Sequence, residues 1–562
     1  MRFKLSAALA VASATALFGQ FTSVPGQARS MVVTKYGIVA APQFLASQAG
    51  AHILEEGGNA VDAAITANAV MGVTQPYVNG IGGDLFVIYY EAKTGKLYGL
   101  NSSGWTPKAL TIEYLKSKGI DQIDPIGVHT IDVPGAVAGW DSLRHRFGTL
   151  PFDRLLAPAI YYAENGFPLA ERNAKSWVNK KLLDQPGYRQ TYAPNGTTYA
   201  VGDEFRNPAL GESLRQIAAH GRDAFYNGAM TKDMVKFLRA QGGTHTEEDF
   251  AEFEPEWVDP ISTTYRGWTI YELPPNGQGI AALAMLNIME QFPMAKYGHN
   301  SADALHVMIE AKKLAYADMY RYVGDPRFTP IPVKQMASKE LATERAKLIA
   351  MNHASCQTVP SQISQVLNAH GNSTIYMSTI DKDGNIVSLI QSNYAGYGTG
   401  MVAPGLGFSF HNRGAGFSLT PGQPNSLAGH KRPLHTIIPA FMEKGDLHIG
   451  FGIMGGWNQA QAHAQFVANV VDYGMNIQAA LEQARFTKGT FDGCDVQMED
   501  TVPVAVREQL TARGHDIKLL GPFNAAVGQG DAVMRDTKRA VNFAGGDPRC
   551  DGSAIPQGPS TK

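Results

Sequence analysis

Two neighbouring hydroxyl residues, Ser373 and Thr374, open the β-rich run Ser373-Thr-Ile-Tyr-Met-Ser-Thr-Ile380. An alcohol becomes a useful nucleophile only when a base takes its proton and N–H groups meet the oxyanion formed on the attacked carbonyl. Gly455-Gly456, after the apolar run Leu447 to Ile453, offers N–H groups that no side chain obstructs. Taken alone, the two hydroxyls are ordinary strand residues and the glycine pair is a turn. Other chemistries are easier to exclude. The sequence contains no G-x-S-x-G, H-E-x-x-H or G-x-x-x-x-G-K-[ST] motif. Gly80-Ile-Gly-Gly-Asp84 has Leu85 where a dinucleotide fingerprint needs its third glycine, and it leads into a strand, so no nucleotide cofactor is expected. Fifteen scattered histidines read as structural, and three cysteines without C-x-x-C spacing predict no metal site. The acidic run Glu247 to Glu256, interleaved with Phe250 and Phe253, reads as a solvated helix start entering an extended segment.

The apolar pattern outlines the elements that must hold these residues. Met31 to Ala40 is expected as one strand, a helix follows Pro42 and stops at Gly57-Gly58, and Asn59 caps a second helix. Leu85 to Tyr90 and Leu97 to Leu100 form a hairpin around Lys93-Thr-Gly-Lys96. From Pro107 to Gln365 the period is mostly helical and reads as packing mass. A second hairpin joins Ser373–Ile380 to Asn385–Ile390 through Asp381-Lys-Asp-Gly384, and the last third alternates strands with the helices Ala462–Val471 and Ile477–Ala484. The class is layered α/β.

With 562 residues, 44% hydrophobic and 17% charged, the chain can bury a large core. Its 48 Lys+Arg against 50 Asp+Glu leave no net field for nucleic acid or an anionic membrane. Arg2 and Lys4 before the apolar stretch Leu5 to Phe18, then Gly26 and Ala28, resemble a secretory leader cut before Arg29. No later stretch is apolar enough to span a bilayer, so a periplasmic or extracellular protein is expected. In an oxidising space Cys494 and Cys550 are the candidate pair, leaving Cys356 over; isolated thiols are an equal reading.

Six segments in order, Gly57-Gly-Asn-Ala-Val-Asp-Ala-Ala64, Gly80 to Asp84, Val133-Pro-Gly-Ala-Val-Ala-Gly139, Ser373 to Gly384, Lys431-Arg-Pro-Leu434 and Gly455-Gly456, together resemble the gamma-glutamyltranspeptidase family. The resemblance implies an N-terminal-nucleophile hydrolase with a four-layer αββα core and no cofactor. It implies a precursor that cuts itself between Ser373 and Thr374, giving a large subunit, residues 29–373, and a small one, 374–562. Thr374 is then the nucleophile, its freed α-amine the base, Gly455 and Gly456 the oxyanion donors, and Ser392 the hydroxyl that orients Thr374. The substrate is a small-molecule amide.

The pocket departs from the family pattern. Ser103 stands where the family has the arginine for the substrate α-carboxylate, Gly416 where it has the acidic residue for the amino group, and His435-Thr436 where it has two serines. Losing two charged hydrogen bonds of about 1.5 to 3 kcal/mol each would weaken gamma-glutamyl binding by roughly 150-fold to 25,000-fold. Leu419 to His430, in the place of the family's lid, is short. These features are closer to the cephalosporin acylase and oxamate amidohydrolase relatives. Arg413 is the replacement anchor for an acidic acyl group, with Tyr394, Trp105 and His435 lining the pocket. The alternatives are a true gamma-glutamyltransferase or glutathione hydrolase, and an inactive periplasmic binding protein on the same fold.

Overall fold

Along Ser373–Ile380 the side chains divide between two apolar clusters, Ile375 and Met377 in one, Tyr376 and Ile380 in the other. A strand buried on both faces must lie between two layers. In the computed structural model, which describes residues 27–358 and 373–559, it is the third strand of a seven-stranded antiparallel sheet. Its order is Ser553–Pro556, Ile38–Ala41, Ser373–Ile380, Ile386–Tyr394, Asp84–Glu91, Lys96–Ser102 and Glu256–Val258. A second antiparallel sheet runs Val32–Thr34, Val541–Gly546, Gly530–Asp536, Leu447–Ile453, Ala440–Lys444, Trp268–Glu272 and Ile261–Tyr265.

The sheets meet through Ile38, Phe86, Tyr376, Ile390, Phe441 and Val533. Helices Phe44–Glu55 and Ala60–Thr74 cover the outer face of the first sheet. Helices Gly279–Met289, Ala302–Tyr322 and Gln459–Val471 cover that of the second. This is the expected αββα order. Close contact between the sheets requires Gly452, where an added Cβ would lie 2.3 Å from the Tyr376 ring. As expected, the Asn59 side chain caps its helix, and Asp62 returns a bond to complete a capping box.

Three expectations are corrected. Met31 to Ala40 is two strands, Val32–Thr34 and Ile38–Ala41, which enter different sheets. The break comes at Gly37, where a Cβ would lie 2.7 Å from Leu54 and 2.9 Å from the Ile380 carbonyl oxygen. The region expected as helical packing mass supplies Glu256–Val258, an edge of the first sheet, and Trp268–Glu272 and Ile261–Tyr265, the last two strands of the second. Their short alternating runs were masked by the helices on either side. Finally, the disulfide joins Cys356 to Cys494, with Cα atoms 4.8 Å apart, and Cys550 is a buried thiol that donates to the Asp547 carbonyl. Pairing followed the approach of segments distant in sequence, where Gly493 N–H donates to the Cys356 carbonyl at 2.9 Å. The expected leader falls on residues 1–28, almost wholly outside the described residues. Within them no helix is long and apolar enough to cross a membrane.

Candidate active site

Thr374 shares the face of Tyr376 and therefore points between the sheets, at the end of its strand. A register irregularity falls between Ser373 and Thr374. Directly opposite, in the paired strand, is Ser392. The buried Thr374 hydroxyl donates to Ser392 Oγ at 3.2 Å, and Ser392 Oγ also accepts the Tyr394 N–H at 2.8 Å. Tyr394 adopts φ 73°, a left-handed conformation that costs a non-glycine residue free energy and turns the chain out of the strand.

Gly455 and Gly456 end the strand Leu447–Ile453 of the opposite sheet and lead into helix Gln459–Val471. Their φ values, 132° and 60°, are left-handed, which explains the glycine pair. The turn also places backbone N–H groups at a helix start, where partial positive charge collects. Gln278 clamps it, its Nε2 donating to the Gly456 carbonyl at 2.8 Å and to the Thr436 carbonyl. Gln459, first residue of the helix, accepts from Ile438 N–H at 3.0 Å and directs its Nε2 to Thr374 Oγ1 at 3.5 Å.

A buried charged group lies beside this pair of strand ends. The Arg413 guanidinium stacks over the Tyr394 ring at 4.7 Å, donates from Nη1 to Thr436 Oγ1 at 2.6 Å and sets Nε 3.5 Å from Asp84 Oδ2. Its Nη2 has no hydrogen-bond partner among the described residues. Asp84 accepts from Gly104 N–H at 2.9 Å and from His435 Nε2 at 2.9 Å. Burial opposes its ionisation, but the positive potential of His411 and Arg413 and the His435 bond hold its carboxyl below the usual carboxylate range. Burial and the Arg413 charge push His435 down to about 3, so it is neutral, with Nδ1 accepting Ile437 N–H at 3.3 Å. The neighbouring Asp132 carboxyl is pushed well up by burial and by Asp84.

Of the residues singled out from sequence, Thr374, Ser392, Tyr394, Arg413, His435, Thr436, Gly455 and Gly456 thus form one connected cluster. Ser103 adjoins it: Asn276 donates to Ser103 Oγ at 3.2 Å, and the Asn276 carbonyl accepts His435 N–H at 2.8 Å. A Cβ on Gly416 would make ordinary contacts, 3.8 Å from the Leu434 carbonyl oxygen and 3.9 Å from Tyr394 Oη, which places Gly416 beside the cluster. Trp105 is corrected: its ring stacks on His430 and meets Phe253, and its N–H donates to the Asp249 carbonyl, so it belongs to the packing around helix Glu247–Ala251. Sequence reasoning assigned no role to Asp84, Gln278 or Gln459. The position of Gln459 three residues after the glycine pair was the one available signal.

The sequence motifs meet physically. The Gly83 carbonyl accepts from Gly135 and Ala136 N–H at 3.0 and 2.9 Å, and a Cβ on Gly83 would lie 2.6 Å from the Ser392 carbonyl oxygen. Fold and site define an N-terminal-nucleophile amide hydrolase of the αββα class, made as a self-processing precursor.

The gamma-glutamyltranspeptidase family model matches residues 46–557, and the chain belongs to that family. It is 34% identical to the glutathione hydrolase-like YwrD proenzyme of Bacillus subtilis, covering 94% of this chain and 99% of that one. It is 32% identical to the oxamate amidohydrolase proenzyme of Klebsiella pneumoniae, covering 93% and 98%. A solved cephalosporin acylase from Bacillus halodurans superimposes with TM-score 0.86 at 41% identity, covering 95% of this chain and 98% of its own.

Proposed function

We propose that the precursor is exported and cuts itself between Ser373 and Thr374, and that the product hydrolyses amides whose acyl group carries a second, free carboxylate. The Cys356–Cys494 disulfide supports the oxidising location. In maturation, Thr374 Oγ1 adds to the Ser373 carbonyl carbon, the C–N bond breaks with the proton passing to nitrogen, and water hydrolyses the resulting ester. The chain irregularity at this bond supports the reading. The freed α-amine, with an ordinary pKa of about 7.7 to 8.0, takes the Thr374 hydroxyl proton in turnover and returns it to the leaving amine. The N–H groups of Gly455 and Gly456 receive the oxyanion, each worth roughly 3 to 4 kcal/mol of barrier.

The substrate class rests on one observation: a fully buried guanidinium, that of Arg413, with Nη2 left without a hydrogen-bond partner among the described residues, stacked on Tyr394 two residues from Ser392. A substrate carboxylate satisfies that donor. Hydrolysis is favoured over transfer. N-terminal sequencing of the small chain should begin at Thr374, and Thr374→Ala should stay one inactive chain. Glutaryl anilide should turn over faster than gamma-glutamyl anilide; the reverse order would refute the substrate reading and leave the maturation reading intact.

A further inference from the structure

Gln459 touches the attacking oxygen, and its orientation is not free. Its Oε1 is engaged by the Ile438 N–H at 3.0 Å, which leaves the Nε2 end facing Thr374 Oγ1 at 3.5 Å, and the side chain is fully buried. The Thr374 proton is meanwhile directed to Ser392 Oγ. Oγ1 therefore sits between an acceptor and a donor. A donor on the nucleophile does nothing to help attack, because it draws on the lone pair that must form the new bond. It does help when the same oxygen leaves.

We infer that Gln459 is a catalytic residue for the departure of Thr374 Oγ1, that is, for hydrolysis of the acyl-enzyme and of the ester formed in maturation. The inference rests on the proposed role of Thr374. In this step water adds to the acyl carbon and its proton goes to the Thr374 α-amine. The oxyanion returns its electron pair as the C–Oγ1 bond breaks, that bonding pair remains on Oγ1, and the α-ammonium delivers the proton to it. The Gln459 N–H meets the negative charge that builds on Oγ1 before the proton arrives. The contact is long in the uncut chain, as catalytic hydrogen bonds often are before the reacting state forms.

Gln459→Glu tests this. It preserves size and the bond from Ile438 N–H, and replaces the donor facing Oγ1 by an acceptor. Processed enzyme is mixed with glutaryl p-nitroanilide, quenched in acid during steady turnover, and the small chain is weighed by mass spectrometry. The acylated fraction should rise at least ten-fold over wild type, or to saturation, while kcat falls; loss of a hydrogen bond to a charged atom corresponds to about 10-fold or more. An acylated fraction short of saturation and no higher than that of wild type, or an undiminished kcat, would overturn the inference. If the variant accumulates as precursor, neutral hydroxylamine decides: rapid appearance of the small chain on a denaturing, reducing gel marks a trapped ester and supports the role, whereas a resistant chain refutes it. Failure of the underlying reading is distinct, since wild type itself would then be neither cut nor acylated.

Discussion

Arg413 shows how burial changes what a residue can do. An exposed arginine would hold a carboxylate weakly against water, but this guanidinium is fully buried, with Asp84 near Nε, Thr436 on Nη1 and the Tyr394 ring beneath it. Burial draws its pKa down, opposed by Asp84, yet an arginine remains protonated. Arg413→Lys keeps the charge and loses the planar fork, so kcat/KM for glutaryl anilide should fall by about 10- to 150-fold, the value of one charged hydrogen bond. A neutral butyryl anilide should fall much less, and an equal loss on both substrates would show that Arg413 only supports the structure. Thr374 was legible through its place in a known motif order. Arg413 entered as the replacement for the family arginine that is missing at Ser103. Gln278 was invisible, and Gln459 carried no signal beyond its place after the glycine pair, because a glutamine's role depends on which carbonyl or hydroxyl the fold sets beside it, and that information lies in residues far away in sequence.

At the scale of elements, the hairpin Ser373–Tyr394 was legible because β-branched runs and an Asp-Gly turn act locally. The broken first strand was not, since what bends it at Gly37 is contact with Leu54 and Ile380. The same logic governs Gly452. It lies in a strand of the second sheet, under the Tyr376 ring of the strand that carries Thr374, and leaves no room for a methyl group. Gly452→Ala should therefore separate the sheets locally and cost about 1 to 3 kcal/mol, as overpacked cores do. Thermal unfolding would measure that cost. A gel time course should also show slower cutting at Ser373–Thr374, because the displaced strand carries the nucleophile out of line with Gly455 and Gly456. A variant as stable as wild type would mean that the sheets yield without strain.

For the whole molecule, the proposed cut divides both sheets between the two products. In the first sheet Ile38–Ala41, from the large chain, lies between Ser553–Pro556 and residues 374–380 of the small chain. The products cannot part without unfolding. The disulfide adds a covalent consequence, because Cys356 precedes the cut and Cys494 follows it. The large-chain segment around Cys356 is also held by Lys313, which donates to the Ser355 carbonyl at 2.9 Å, and by Ala354 N–H, which donates to the Arg513 carbonyl at 2.7 Å. Mature enzyme, alkylated as it is denatured, should therefore run as one species without reductant and as two with it, and Cys356→Ser should give two bands either way. Under native conditions reduction should leave the chains together and active, since the shared sheets, not the bridge, bury the interface. Two bands from alkylated wild-type enzyme without reductant would show that the bridge is absent from the mature molecule. Activity lost on reduction of wild type would show that the bridge itself supports the active fold.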